Sequence, residues 1–477
     1  DMAEHLSGYD RARVGVPKVC DCGRESCRYQ CFMEVCASNW YQVQICNHNL
    51  LLADAIHRNL GRRPLLPEWS TLILDEAHKL PEAARQMFGI TLTAAEIHEL
   101  IRVLRRERYL LASENLEEAA GPVLRELARP WDEDGTFSHF APFLNRPNHT
   151  LELIQKQIGT ILPHRTQRQL DQLRDKTALF LQKQRDMIFY TAEDSHGGTM
   201  LCATTPNLTD QLRQTLWRQQ KPMILTSGTL AVGEDFRRFK EATGLLTDSR
   251  VRESVSLSPF AYSRNCLMYV SRLPAHQGAG QYYDSLTAEI AALLDAAHGH
   301  ALVLFTSYAA MSAVKERLRE QDLAYQLFTL GRNAVHTTKQ FKNTPGGVLL
   351  ATGAAWEGFD FPGDCVSLLV IPRLPFPIPD ALKEKEREQY PTLHSFLRGI
   401  VVPEMQIKLK QGFGRAIRLE TDTCVVAILD ERAARDQRYW KDVLAALPEM
   451  PVTQDIHRVE AFIRSVKPDG YFQEGAA

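Results

Sequence analysis

The sequence predicts an α/β protein built from two parallel-sheet lobes, the first interrupted by a helical insertion. Three observations carry this. A short apolar run, Thr71-Leu72-Ile73-Leu74, ends abruptly in Asp75, Glu76, Ala77 and His78. Helical patterning replaces strand signals over most of residues 85–185. Beyond residue 300, apolar runs at 301–305, 348–351, 366–371 and 425–429 alternate with helical stretches such as 308–321, the pattern of a parallel sheet with crossover helices.

The chain has 477 residues, 44% hydrophobic and 24% charged, with a mean hydropathy of -0.27. That length allows two or three domains, and the balance is that of a globular protein. No apolar run approaches the roughly 18 residues of a membrane span, and no signal-peptide pattern is visible, so the expectation is a cytoplasmic protein with no membrane partner. A net charge of -2 rules out a polyanion-binding signature spread over the whole chain, so nucleic acid would have to meet local basic surface. Two stretches qualify: Arg102, Arg105, Arg106 and Arg108, then Arg165, Arg168, Arg174, Lys176, Lys183 and Arg185. Each reads either as a solvated helix face or as a wall facing nucleic acid.

Residues 1–45 form a first, Cys-rich segment. Five of the ten cysteines, Cys20, Cys22, Cys27, Cys31 and Cys36, fall there. This is metal-site usage in a reducing compartment, not a disulfide framework, and a bound metal would have to supply the order that a core cannot. The spacing Cys22-x4-Cys27-x3-Cys31-x4-Cys36 lacks the Cys-x2-Cys knuckles usual for zinc. Thiolate-only ligation at irregular spacing suits a [4Fe-4S] cluster. Zinc and plain thiols are the competing readings, and Cys20 competes with Cys22 as a ligand. The alternation over 42–46 reads as a strand.

The first lobe is expected over 46–84 and 186–245. It holds a helix at 51–60 ended by Gly61 as a C-cap, the strand before Asp75, and a strand at 222–226 followed by Ser227-Gly228-Thr229. Between its two parts, the insertion at 85–185 carries helices at 94–111 and 151–185, with a Pro/Gly/aromatic interruption over 130–147. A loop-rich link over 246–274 opens the second lobe, 246–477.

The chemistry sits at the ends of strands, where ligands bind in open α/β sheets. Adjacent acids such as Asp75 and Glu76 repel unless a cation is near. Mg²⁺-nucleotide hydrolysis needs one acid to hold the metal through water and one to orient the attacking water. The bland alternative is that both cap the next helix. Residues 411–418, Gln-Gly-Phe-Gly-Arg-Ala-Ile-Arg, place Arg415 and Arg418 at i and i+3 on one face of a helix. Gln411 lies one turn before Arg415, and Gly414 leaves room for close approach. Forked guanidinium groups suit phosphate oxygens; the alternative is a plain surface helix. Residues 354–363 form another strand-end loop with acids, Glu357 and Asp360.

In this order, Asp75-Glu76-Ala77-His78, Thr226-Ser227-Gly228-Thr229, Trp356-Glu357-Gly358-Phe359-Asp360 and residues 411–418 resemble motifs II, III, V and VI of superfamily 2 helicases of the XPD/DinG type, motif II being a DEAH box. The resemblance implies two RecA-like lobes, an iron-sulfur segment and an arch-like insertion. It implies that Asp75 coordinates Mg²⁺ through water, Glu76 activates the hydrolytic water, and Ser227 and Thr229 couple nucleotide to DNA. Gly358 and Asp360 would meet nucleotide or DNA, with His78 beside the nucleotide, while Gln411, Arg415 and Arg418 reach the γ-phosphate. Cys22, Cys27, Cys31 and Cys36 would hold the cluster, although the family often takes one ligand from farther upstream. The implied activity is ATP-driven 5′ to 3′ travel on single-stranded or forked DNA, in repair or replication.

One departure stands out. No Gly-x-x-x-x-Gly-Lys-Ser/Thr occurs in the 477 residues, so nothing here cradles the β-phosphate. The chain opens with Asp1, and the expectation is that an N-terminal segment bearing that loop is missing, leaving this chain inactive alone and apolar sheet edges uncovered. The rival reading is a helicase remnant that binds DNA and senses redox state without hydrolysing ATP.

Overall fold

The computed structural model describes residues 27–472 apart from 37, 39, 130–136, 183–186, 194–196, 206, 232, 257, 274–278, 322, 331–333, 357, 358, 360, 362 and 380. Its contacts divide the chain into two compact units, 1–226 and 227–477. Residues 227–245, expected in the first lobe, therefore pack within the second unit.

In the first unit, β1 (Leu72–Leu74) pairs in parallel with a strand at Met223–Leu225, Ile73 opposite Ile224. Leu74 is buried, whereas Ile73 and Ile224 are 66% and 55% exposed. Two β-branched residues thus lie side by side on an open face, where parallel sheets are normally covered. The helix His48–Asn59 begins at Asn47, whose side chain accepts from Leu50 N. Gly61 takes a left-handed φ of 64° just beyond it, as its sequence position predicts. The strand expected at 42–46 is absent: that stretch is irregular, with Val43 78% and Ile45 96% exposed. Alternation makes a strand only where a neighbour accepts the ladder, and none among the described residues does.

The insertion packs the helices Ala94–Arg106, Leu110–Leu127, Asn145–Ile158 and His164–Gln182 around Leu100, Leu104, Leu116, Leu151, Leu170 and Phe180. Both long helices expected here are broken. The first stops at Arg106, and Arg108 turns with φ 68° before the next begins at Leu110. The second breaks between Ile158 and His164, at Gly159 and Pro163, where proline removes a backbone donor. A small antiparallel sheet was not foreseen. It comprises β2 (Ile90–Leu92), β3 (Ile188–Glu193) and β4 (Thr199–Thr204) in the order β2-β4-β3. Leu92, Leu201 and Ala203 place it in the insertion's core, although 188–204 read as first lobe. The strand at Met223–Leu225 is β5.

The second unit is a seven-stranded, all-parallel sheet in the order β12-β6-β11-β10-β7-β9-β8. Its strands are β6 (Cys266–Val270), β7 (Ala301–Leu304), β8 (Leu327–Thr329), β9 (Val348–Ala351), β10 (Leu368–Ile371), β11 (Cys424–Ile428) and β12 (Val452–Thr453). Alternate residues feed two cores. Met268 and Val426 join Met405 and Leu409 on one face, while Tyr269 and Ala427 join Ile290, Val314 and Ile463 on the other. Burial on both faces is why these strands read as continuous apolar runs. The expected loop-rich link over 246–274 contains β6, all five of whose residues are buried. Its run Cys-Leu-Met-Tyr-Val is as apolar as the other strands of the sheet.

Candidate functional site

In the first unit, pairing continues past the end of β1 and locks the acidic turn. Thr226 N donates to Leu74 O at 2.8 Å and Ala77 N to Thr226 O at 3.0 Å. The turn costs backbone strain: Glu76 sits at φ 48°, uncommon for a residue with a side chain. Asp75 Oδ1 accepts from Glu76 N at 2.9 Å, and His48 Nε2 lies 2.9 Å from Asp75 O. A carbonyl only accepts, so that ring nitrogen carries the proton. Glu76 Oε2 lies 3.2 Å from His78 Nδ1. Both acids are exposed, and Glu76 makes no side-chain capping bond to the turn Ala77–Lys79 that it begins. The helix Leu80–Phe88 starts instead with Pro81 in its first turn. Neither acid is the N-cap of that helix, which is Lys79, and two exposed carboxylates stand at the carboxyl end of a parallel strand.

In the second unit, Ser227 Oγ accepts from Thr229 N at 3.1 Å, and Thr229 is buried. The loop after β9 is anchored by Trp356, 1% exposed, whose indole N–H donates to Phe305 O at 2.9 Å; Thr352 Oγ1 donates to the same carbonyl at 3.0 Å. The helix Val402–Phe413 ends one residue before Gly414, so Arg415 and Arg418 do not lie on one face of a helix. They occupy the turn beyond it, where Arg415 N bonds Gly412 O and Ala416 N bonds Phe413 O. Two glycines in three residues weaken the helix at this point. The close approach also belongs to Gly412 and not Gly414: a Cβ on Gly412 would meet Trp356 at 2.8 Å, one on Gly414 only ordinary contacts at 3.4 Å.

Arg415 is half-buried, its Nη1 donating to Phe359 O and its Nε to Gln411 O at 3.3 Å. Gln411 is buried and Arg418 exposed. Lys410, beside Gln411, has its ammonium pKa lowered by burial. Sequence reasoning missed Asp422, 4% exposed. Its Oδ2 accepts from Arg418 N and Leu419 N at 2.8 Å each, and its Oδ1 from Gly363 N at 3.2 Å. One carboxylate thus ties the arginine turn to the far end of the loop holding residues 354–363. It also missed His48, which only its place after a strong N-cap could have suggested.

Gly358, Asp360, Cys20 and Cys22 lie outside the described residues. Cys27 and Cys31 are one helical turn apart, Cys31 N bonding Cys27 O at 3.0 Å, and Cys36 ends the helix Arg28–Cys36. None of the three is in a disulfide. The described residues contain no group of three or more His, Cys, Asp or Glu side chains placed to hold a metal. No helix among them is long and apolar enough to cross a membrane.

A family model, the helicase C-terminal domain, matches residues 290–450. That stretch holds β7 to β11 of the seven-stranded parallel sheet, an α/β architecture consistent with a RecA-like lobe. Among curated proteins, the chain is 29% identical over 450 residues to the ATP-dependent DNA helicase YoaA of Escherichia coli K12, covering 88% of this chain and 69% of the relative. It is 28% identical over 461 residues to the ATP-dependent helicase DinG of Mycobacterium tuberculosis H37Rv, covering 91% and 68%. Its fold matches a solved XPD helicase at TM-score 0.55 and 18% identity, over 82% of this chain and 70% of that one. It also matches S. tokodaii Xpd4 at 0.56 and 15%, over 85% and 81%. Over most of its length the chain is thus similar to the helicases named YoaA and DinG, and its fold to solved XPD helicases.

Proposed function

We propose that this chain is the motor of an ATP-dependent DNA helicase that moves 5′ to 3′ along single-stranded or forked DNA, in the cytoplasm, in repair or replication. The observation that carries the reading is the acidic turn after β1, held by Ala77 and Thr226 with both carboxylates exposed. Asp75 would hold Mg²⁺ through water. Glu76 would take the proton of the attacking water. His78, paired with Glu76, would orient it, and Asp75 and His78 would line the nucleotide together with Gly358, Asp360 and Gln411. Arg415 and Arg418 would meet the charge that develops on the γ-phosphoryl group, an effect worth about 10³ to 10⁵ in rate where arginines supply it. Ser227 and Thr229 would couple nucleotide state to DNA.

Hydrolysis in this scheme needs a phosphate cradle, and the 477 residues hold no Gly-x-x-x-x-Gly-Lys-Ser/Thr. The reading therefore requires such a loop from outside them. That same fact favours the second reading, a DNA-binding, redox-sensing remnant that does not hydrolyse ATP. A [4Fe-4S] cluster on Cys22, Cys27, Cys31 and Cys36, with Cys20 as the alternative to Cys22, belongs to both. It rests on the donor set, thiols alone at irregular spacing. ATP turnover with and without oligo(dT), in a protein carrying the loop ahead of these residues, separates the two: DNA-stimulated turnover supports the motor, and DNA binding without turnover supports the remnant.

A further inference from the structure

At the carboxyl edge of the second unit's sheet, a cavity of about 230 Å³ is lined by Leu273, Tyr282, Arg373, Leu429, Asp430, Glu431 and Arg432. These residues follow β6, β10 and β11, which are neighbours in the sheet, at the edge where open α/β sheets bind ligands. None of them belongs to the motifs assigned above. Small-molecule pockets run from about 300 Å³ upward, so this one suits a compact group and not a whole nucleotide.

Its cations are built in. Asp430, 4% exposed, accepts from Leu374 N at 3.0 Å and grips Arg432 through Nε at 2.9 Å and Nη2 at 2.7 Å. Arg432 is further held over the ring of Phe376 at 5.0 Å. The carboxylate of Asp430 is thereby spent, and the guanidinium plane is fixed. Arg373 is exposed and stacks on Tyr282 at 4.8 Å from its centroid, donating Nε to the Tyr282 hydroxyl at 3.2 Å. That partner is neutral, and among the described residues no carboxylate pairs with Arg373. Two oriented forks, one of them with no carboxylate partner among the described residues, face a cavity of phosphate size. Glu431 is the opposing charge in the lining. Arg272 lies exposed beyond the end of β6, next to Leu273.

We propose that this cavity binds a backbone phosphate of single-stranded nucleic acid, Arg373 supplying the charge and Arg432 a second set of donors. Phosphate contacts of this kind position a strand without reading its sequence. The proposal rests on the DNA-binding reading above.

The test is binding of fluorescent oligo(dT) to the 477-residue chain, followed by anisotropy across a salt series. Arg373→Glu should weaken binding about tenfold near 0.1 M salt and lower the salt slope by about 0.7, the share of one phosphate on a single strand. Arg373→Gln should do the same to a smaller degree. Arg319→Glu, an equal charge change on the exposed side of the helix Tyr308–Glu320, should stay within about twofold of the unaltered chain. Tight binding with an unchanged slope in Arg373→Glu overturns the site and leaves the DNA reading standing, as does an equal loss in Arg319→Glu. No binding by the unaltered chain overturns both. Pyrophosphate binding that Arg373→Glu abolishes, with oligo(dT) affinity untouched, would assign the cavity to free phosphates instead.

Discussion

The backbone of Gly412 lies against the indole of Trp356, so close that a Cβ there would fall 2.8 Å from Cζ3 and 3.0 Å from Cε3. The loop after β9 and the end of the helix Val402–Phe413 are therefore one packing unit, and the arginine turn inherits its position from a tryptophan bound to Phe305 O. Gly412→Ala should destabilise the second unit by about 1 to 3 kcal/mol through overpacking. Gly414→Ala, where the added carbon meets nothing closer than 3.4 Å, should be neutral or mildly stabilising. Thermal melts of the two variants check this, and equal losses would refute the packing argument.

Asp422 satisfies three backbone donors, those of Gly363, Arg418 and Leu419. Asp422→Ala should cost about 2 to 4 kcal/mol, since buried donors left unmade are expensive. Hydrogen exchange should speed up at Gly363, Arg418 and Leu419 together. Loss of protection at only one of these loops would show that Asp422 does not join them.

Asp430 gives a pH dependence of definite sign. Burial works to raise its pKa, but the hydrogen bond and charge of Arg432 outweigh burial and hold it below the ordinary carboxylate value. A depressed folded-state pKa contributes stability that is present above the unfolded value, about 3.9, and lost as pH falls through the lower folded value. Asp430→Asn should remove that part of the acid dependence and lower stability by about 3 kcal/mol at neutral pH. Urea midpoints between pH 7 and 3, for variant and parent, measure both effects.

The cofactor proposal predicts that chain purified without oxygen carries iron and labile sulfide with the broad visible absorbance of a thiolate-bound cluster. Cys27→Ser should reduce both. A colourless protein with stoichiometric zinc would point to the competing metal.

What the sequence made legible follows from burial. β7, β9, β10 and β11 are buried on both faces, so each left an apolar run, and the acids after β1 were visible because an apolar strand stops on them. β6 leaves the same kind of run, but turn residues surround it and mask it. Packing and termination were less legible. That the helix ends at Phe413, that Gly412 and not Gly414 makes room for Trp356, and that Asp422 bridges two loops all depend on partners distant in sequence. The antiparallel sheet of the insertion was hidden for the same reason: β3 pairs with β4 and β4 with β2, more than a hundred residues away, and β3 shows no alternation of buried and exposed residues.

The most direct test of the central claim is ATP turnover with and without single-stranded DNA, using these residues joined behind a segment that carries a Gly-x-x-x-x-Gly-Lys-Thr loop, with Glu76→Gln alongside. The amide keeps the shape of Glu76 but cannot accept the water's proton. The account predicts DNA-stimulated turnover in the parent, none in Glu76→Gln with nucleotide binding kept, and none from the 477 residues alone. Turnover at the parent's rate in Glu76→Gln, or from the 477 residues without the loop, would contradict it.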